Sequence, residues 1–191
     1  MELLHAALDI FLEKGFEPAT VEEIAAAVGM SKRTVYARYE DKSALFRAAV
    51  RRAIQLYTVP RDTIASLETP DLEATLTAVA RLRIANLATP NATKLQRILA
   101  AQSYRFPDLF NLSFEEGTGP TVDYLCDLFT RHTARGDITT PDPRRAAVAF
   151  LSLVVGGPAR MIVAGAPPDE PEITARVRFA VRLFLDGVRK R

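Results

Sequence analysis

The chain has 191 residues, 48% of them hydrophobic, which is enough to fill a core and too many for a disordered chain. Its single cysteine, Cys126, excludes an intramolecular disulfide and any cysteine-built metal site. Formal net charge is +2, so the overall balance argues neither for nor against a polyanionic partner.

Apolar residues recur at helical spacing almost throughout, and no stretch alternates as a half-buried strand does, so the sequence predicts an all-α chain. Leu3, Leu4, Ala7, Leu8 and Phe11 form the inner stripe of a first helix ending at Lys14-Gly15. Thr20 opens a second helix and Glu23, three residues on, completes a capping box. Gly29 stops that helix after Ile24, Ala25 and Val28. Ser31 caps a third helix running to about Tyr39. Asp41 caps a fourth, with Leu45, Phe46, Ala49, Val50 and Ile54 on its buried side. Pro60 then breaks the pattern and divides a first domain, residues 1–57, from a second, residues 58–191. Helices are expected near 61–68, 71–88, 91–105, 107–116, 118–135, 142–166 and 170–190. Their breaks fall at Pro70, Pro90, Pro107, Gly117-Pro120, Gly136-Pro143 and Gly165-Pro171.

The most apolar run, 146–159, meets Arg160 and contains Gly156-Gly157-Pro158, which argues against a single membrane-spanning helix. Glu2, His5 and Asp9 interrupt any N-terminal signal pattern. His5 and His132 lack a second histidine or cysteine at ligand spacing, and no nucleophile–base arrangement can be assembled. Gly117-Thr118-Gly119-Pro120 lacks the lysine and the strand of a phosphate loop. The expectation is a soluble cytoplasmic protein with no cofactor, no metal and no enzymatic activity. His132, near a helix C-terminus, reads as a favourable dipole contact.

The informative segment is Thr20 to Lys42, TVEEIAAAVGMSKRTVYARYEDK. Two short helices joined by a glycine-containing turn make a helix-turn-helix. Ala25 is small where the helices cross, and Gly29 enters the turn. Val35 and Tyr39, four apart, anchor the second helix to the core. Lys32, Arg33, Thr34, Tyr36, Ala37 and Arg38 remain to face outward. They are cationic, hydroxyl-bearing or small, as a helix in a major groove requires. Residues 1–57 hold eight basic and eight acidic side chains, but 32–38 carry base without acid, so a DNA-facing surface would be narrow. The plain alternative is a helical hairpin inside an ordinary α-bundle.

Residues 3–57 resemble the TetR family of transcriptional regulators. The likeness rests on Phe11 and Gly15-Phe16, then Thr20, Ile24-Ala25, Val28-Gly29, Ser31, Thr34-Val35-Tyr36, Asp41-Lys42 and Leu45-Phe46. The resemblance implies an N-terminal helix-turn-helix DNA-binding domain of three helices and a C-terminal helical domain for ligand binding and dimerisation. It implies that residues 32–38 are the recognition helix. Thr20, Thr34, Tyr36 and Lys42 would then contact phosphates, while Lys32, Arg33 and Arg38 would reach bases or backbone. Ala19 stands where the family often has a second threonine, which would remove one phosphate contact. Arg33 and Arg38 replace a frequent glycine and a frequent histidine or tyrosine, changing the operator read.

The resemblance further implies a homodimer through helices about 142–166 and 170–190, bound to double-stranded operator DNA. The last helix carries the stripe Ile173, Val177, Ala180, Val181, Phe184, Leu185 and Val188, opposed by Arg176, Arg178, Arg182 and Arg189. The run TKLQRILAAQSYRFPDLFNLSFEEG is similar to the AefR-like subgroup of the family. Tyr104, Phe106, Phe110, Phe114, Tyr124 and Phe129 fall at helical spacings and read as core or as a partly apolar effector pocket between helices, with Arg83, Gln102, Phe106, Phe110 and Tyr124 as its candidate residues. The function so implied is a ligand-responsive repressor released from its operator by a small apolar or amphipathic molecule. The competing reading is a helical small-molecule-binding or enzymatic protein that keeps the hairpin without binding DNA.

Overall fold

The computed structural model describes residues 2–189. Among them the chain forms α1 (Glu2–Lys14), α2 (Val21–Ala27), α3 (Lys32–Tyr36), α4 (Lys42–Tyr57), α5 (Arg61–Ala65) and α6 (Leu72–Ala88). There follow α7 (Pro90–Gln102), α8 (Pro107–Leu112), a π-helical turn (Ser113–Thr118), α9 (Gly119–Arg135), α10 (Pro143–Ala164) and α11 (Glu170–Val188). Side-chain caps begin many of them. The oxygens of Thr20, Ser31, Asp41, Asp71, Asp142 and Asp169 each accept a first-turn backbone N–H. The all-α expectation holds, with three local differences. The third helix is a turn and a half and ends at Tyr36. At Gly117 the chain widens into a π-helical turn instead of breaking. Pro158 lies buried inside α10, so Gly156-Gly157-Pro158 does not end that helix.

The residues up to Thr58 form one compact unit with Pro90–Gly117; Val59–Thr89 and the residues from Thr118 onward form a second. This packing differs from a single cut after residue 57. Leu95, Ile98 and Leu99 of α7, Phe106 before α8 and Leu109 of α8 enter the core laid down by α1 and α4. At its centre Phe46 meets Phe11 edge-on at 5.0 Å and Phe16 at 4.9 Å, and Phe106 meets Phe16 at 5.2 Å. Such geometries add about 0.5–1.5 kcal/mol each beyond the area they bury. Arg105 lies over Phe16 and Arg47 over Phe106, their guanidiniums reaching out to Glu17 and Asp108 at the rim.

In the second unit α10 is the central helix, packed against α9, α6 and α11. Ala147, Phe150, Leu151, Val154 and Ile162 are buried along it. By length and composition alone α10 could cross a membrane, contrary to the reading of its Gly-Gly-Pro segment. Phe129, Phe150 and Phe184 close the core of this unit with ring centroids 5.1–6.4 Å apart. His132, buried in the last turn of α9, takes a specific partner, its Nδ1 lying 2.8 Å from the Asp137 carboxylate.

Candidate nucleic-acid interface

The residues that hold the helix-turn-helix are short-range and mostly backbone-directed. Gly15, at φ 87°, turns the chain out of α1, and Gly29, at φ 65°, turns it between α2 and α3. Both conformations are strained for any residue with a Cβ. Thr20 Oγ1 accepts the Glu23 N–H at 3.2 Å, which is half of a capping box. The Glu23 carboxylate pairs with Lys14 on the preceding helix. Ala25, 1% exposed, lies where α2 and α3 meet, and Met30 N–H returns to its carbonyl at 2.9 Å. Ser31 accepts the Thr34 N–H at 3.1 Å, and the two hydroxyls lie 2.9 Å apart. Val35, 1% exposed, is the buried anchor of α3, with Tyr39 partly buried behind it.

Lys32, Arg33, Thr34, Tyr36, Ala37 and Arg38 are all exposed, as the spacing predicts. Among the described residues Arg33 and Arg38 have no ion-pair partner. Lys32 differs. Its ammonium bonds the Glu22 carboxylate and lies 5.6 Å from the centroid of the Tyr36 ring. The hydrogen bond raises the Lys32 pKa and lowers that of Glu22, so both stay charged at neutral pH. An exposed carboxylate on the preceding helix, across the turn, thus neutralises one of the three cations of the surface. Replacing Glu22 with glutamine is expected to tighten DNA binding by about two- to fivefold and to steepen its salt dependence by about one ion. Fluorescence anisotropy across a salt series reads both, and unchanged affinity at low salt would mean that Lys32 does not face phosphate.

Lys42 occupies a different position from the one expected of a phosphate contact. Its Nζ donates to the backbone carbonyls of Phe16, Glu17 and Ala19 at 2.9, 3.1 and 3.0 Å and lies 4.5 Å from the Phe16 ring centroid. An ammonium has three donors. All three are used inside the unit, so Lys42 ties the α1–α2 loop to the start of α4. We expect Lys42→Met to lower stability by about 1–3 kcal/mol through its orphaned acceptors. Urea denaturation measures this. A variant of unchanged midpoint that loses only DNA affinity would restore the phosphate role.

The candidate pocket residues divide between the two units. Gln102, half-buried, closes α7, while Phe106 is spent in the aromatic core of the first unit and Phe110 is 57% exposed. In the second unit Tyr124 is buried. Its hydroxyl donates to Glu68 at 3.1 Å, and burial with that carboxylate pushes its pKa up to about 12. Arg83 is 6% exposed on the inner side of α6. Phe106 is therefore a packing residue, not a pocket lining.

The described residues hold no cluster of three metal-ligating side chains. The sequence reading missed an exposed apolar face. Leu153 of α10 and Phe179 and Leu183 of α11 are 43%, 70% and 51% exposed. The signal was present as Phe179 and Leu183 four apart. The stripe read from the sequence, Ile173, Val177, Ala180, Val181, Phe184, Leu185 and Val188, is instead the face that packs within the unit.

Residues 3–49 match the profile of bacterial regulatory proteins of the tetR family, and residues 74–187 that of the C-terminal domain of AefR-like transcriptional repressors. An HTH-type transcriptional repressor of Mycobacterium tuberculosis is 32% identical over 90 residues, which span 42% of this chain and 48% of that protein. Among solved structures, the flavonoid-responsive regulator FrrA is 30% identical, with TM-score 0.74 over 99% of this chain and 96% of that one. A Mesorhizobium loti protein assigned to the same family superposes with TM-score 0.82 at 28% identity, over 99% and 96% of the two chains.

Proposed function

We propose, on the premise that this chain belongs to the TetR family of bacterial regulatory proteins, that it is a transcriptional repressor acting as a homodimer on operator DNA. The observation that carries this reading is α3 itself. It is held by the Ser31 cap and the buried Val35, and it and the turn that follows it present Arg33 and Arg38, which have no ion-pair partner among the described residues. Arginine is the side chain that most often reads guanine edges, and Thr34 and Tyr36 beside it can donate to phosphates. Thr20, at the N-terminus of α2, is exposed and carries the same capacity.

A surface so small needs two copies. The exposed face of Leu153, Phe179 and Leu183 on α10 and α11 supports a two-fold contact through these helices, and it is the kind of apolar patch that marks an interaction site. Two recognition helices about 34–36 Å apart would then read successive major grooves. Ligand responsiveness is supported by the likeness to FrrA, which its name describes as flavonoid-responsive. A small apolar or amphipathic molecule that favours one spacing of the recognition helices would release the operator by its differential affinity for the two states. Such a protein works in the cytoplasm, where its DNA is.

Selection of bound sites from random double-stranded DNA tests the proposal. Enrichment of an inverted repeat with half-sites about one or two helical turns apart is the expected result. Recovery of no preferred sequence, with salt-independent retention, would overturn it.

A further inference from the structure

Lys42 spends its three donors on the carbonyls of Phe16, Glu17 and Ala19, so it has none left for the edge where the α1–α2 loop runs into Thr20. A second cation lies against the same ring. Arg105 belongs to the turn between α7 and α8, where the Gln102 carbonyl accepts the N–H groups of Arg105 and Phe106 at 3.0 and 2.8 Å. The guanidinium carbon of Arg105 is 4.6 Å from the Phe16 ring centroid and 5.7 Å from that of Phe106. Lys42 Nζ approaches the Phe16 centroid to 4.5 Å. A side chain 88 positions beyond Glu17 in sequence is thereby laid on the loop that leads into the helix-turn-helix.

Arg105 differs from Lys42 in what it has left to give. Its side chain is 51% exposed, and its only ion-pair partner among the described residues is the Glu17 carboxylate, itself 67% exposed. A guanidinium has five N–H donors, so one such pair leaves much of the fork unused. Exposed pairs contribute little in water, whereas a phosphate that takes the place of the carboxylate also releases the counter-ion it held. Glu17 precedes Thr20 by three residues. Their Cα atoms are therefore at most about 11 Å apart, on the order of three nucleotides of strand at ~3.4 Å each. Tyr104, next to Arg105, is fully exposed and adds a hydroxyl donor to the same turn.

We propose that Arg105 is a further operator contact, binding a backbone phosphate close to the one that Thr20 serves, although it lies outside the helix-turn-helix. In the free protein Glu17 holds the guanidinium beside Phe16; on DNA the phosphate displaces the carboxylate. Arg105 thus supplies the cation that Lys42, tied inside the unit, withholds. The contact rests on the operator-binding reading above and differs in kind from those of Arg33 and Arg38. It positions the protein on the duplex and carries no sequence information.

The test uses the full chain, the selected operator and an unrelated duplex of equal length, read by fluorescence anisotropy across a salt series. At about 0.1 M salt Arg105→Gln should bind both duplexes about tenfold more weakly, with a salt slope shallower by about one ion per subunit. Glu17→Gln should tighten binding to both by about threefold, and that gain should disappear once Arg105 is glutamine as well. The proposal is overturned if Arg105→Gln keeps the affinity and slope of the wild type. It is overturned too if Arg105→Gln loses affinity for the operator alone at an unchanged slope, as a loosened core would, or if Glu17→Gln tightens binding equally with and without Arg105. Should Arg105→Gln fail to fold, Glu17→Gln still decides, because the pair it breaks is exposed. Single operator phosphates are then neutralised as methylphosphonates. One position in each half-site should cancel the gain of Glu17→Gln; no gain, or no such position, overturns the contact. A wild type without salt-dependent DNA binding removes the repressor reading and this contact together, whereas variants that bind as the wild type does remove the contact alone.

Discussion

Replacing Arg33 and Arg38 together with alanine is expected to weaken operator binding by on the order of a hundredfold to ten-thousandfold, from ~1–3 kcal/mol lost per base-reading arginine. The fold should be untouched, because both side chains are exposed and neither has an internal partner among the described residues. The two effects that an arginine can have on DNA binding are separable. Loss of a base contact relaxes specificity at one position of the operator. Loss of a phosphate contact weakens all sequences alike and lowers the salt slope by about one ion per residue. Measuring the single and double variants on operator and on unrelated DNA, across a salt series, assigns each arginine to one class. A double variant that binds operator as tightly as wild type would mean that α3 does not enter a groove.

The second large effect is expected from the opposite end of the chain. Phe179→Asp with Leu183→Asp places two carboxylates on the most exposed apolar face of α11. In a two-fold interface each charge would be desolvated and would lie close to its symmetry mate. Sedimentation should show a monomer at micromolar concentration, and operator affinity should fall by about 10²–10⁴ because the second half-site contact is no longer intramolecular. Circular dichroism should be unchanged, since neither residue enters the core of its unit. A variant that remains dimeric with full operator affinity would place the interface elsewhere.

The parts of this molecule that were legible in its sequence are those governed by neighbours in sequence. Thr20, Ser31 and Asp41 each accept from an N–H three residues on, so the starts of α2, α3 and α4 can be read directly. Gly15, Gly29, Gly136 and Gly165 take left-handed conformations at or near helix ends, where a Cβ would be strained. What could not be read depends on distant partners. The carbonyls that hold Lys42 belong to residues 23 to 26 positions away, and backbone acceptors leave no trace in composition. Phe106 looked like one aromatic among several between residues 104 and 129. Only packing shows that its ring belongs with Phe16 and Phe46. Glu22 reads as a first-turn acidic residue suited to the helix dipole, yet its carboxylate reaches across the turn to Lys32. On α11 both faces carry large apolar side chains, so periodicity alone could not tell the inner stripe from the outer one.

The aromatic cluster shared by α1, α4 and the segment before α8 limits how this protein can be taken apart. A headpiece cut after Tyr57 would lose Phe106, leaving the faces of Phe16 and Phe46 that it covers open to water, and Arg47 without its acidic partner. Chimaeras that graft this first unit onto another regulator must therefore carry residues 90–117 with it, as a discontinuous transplant. The same constraint means that changes accumulating in α7 and α8 are felt by the stability of the reading head, although those helices lie outside the helix-turn-helix in sequence.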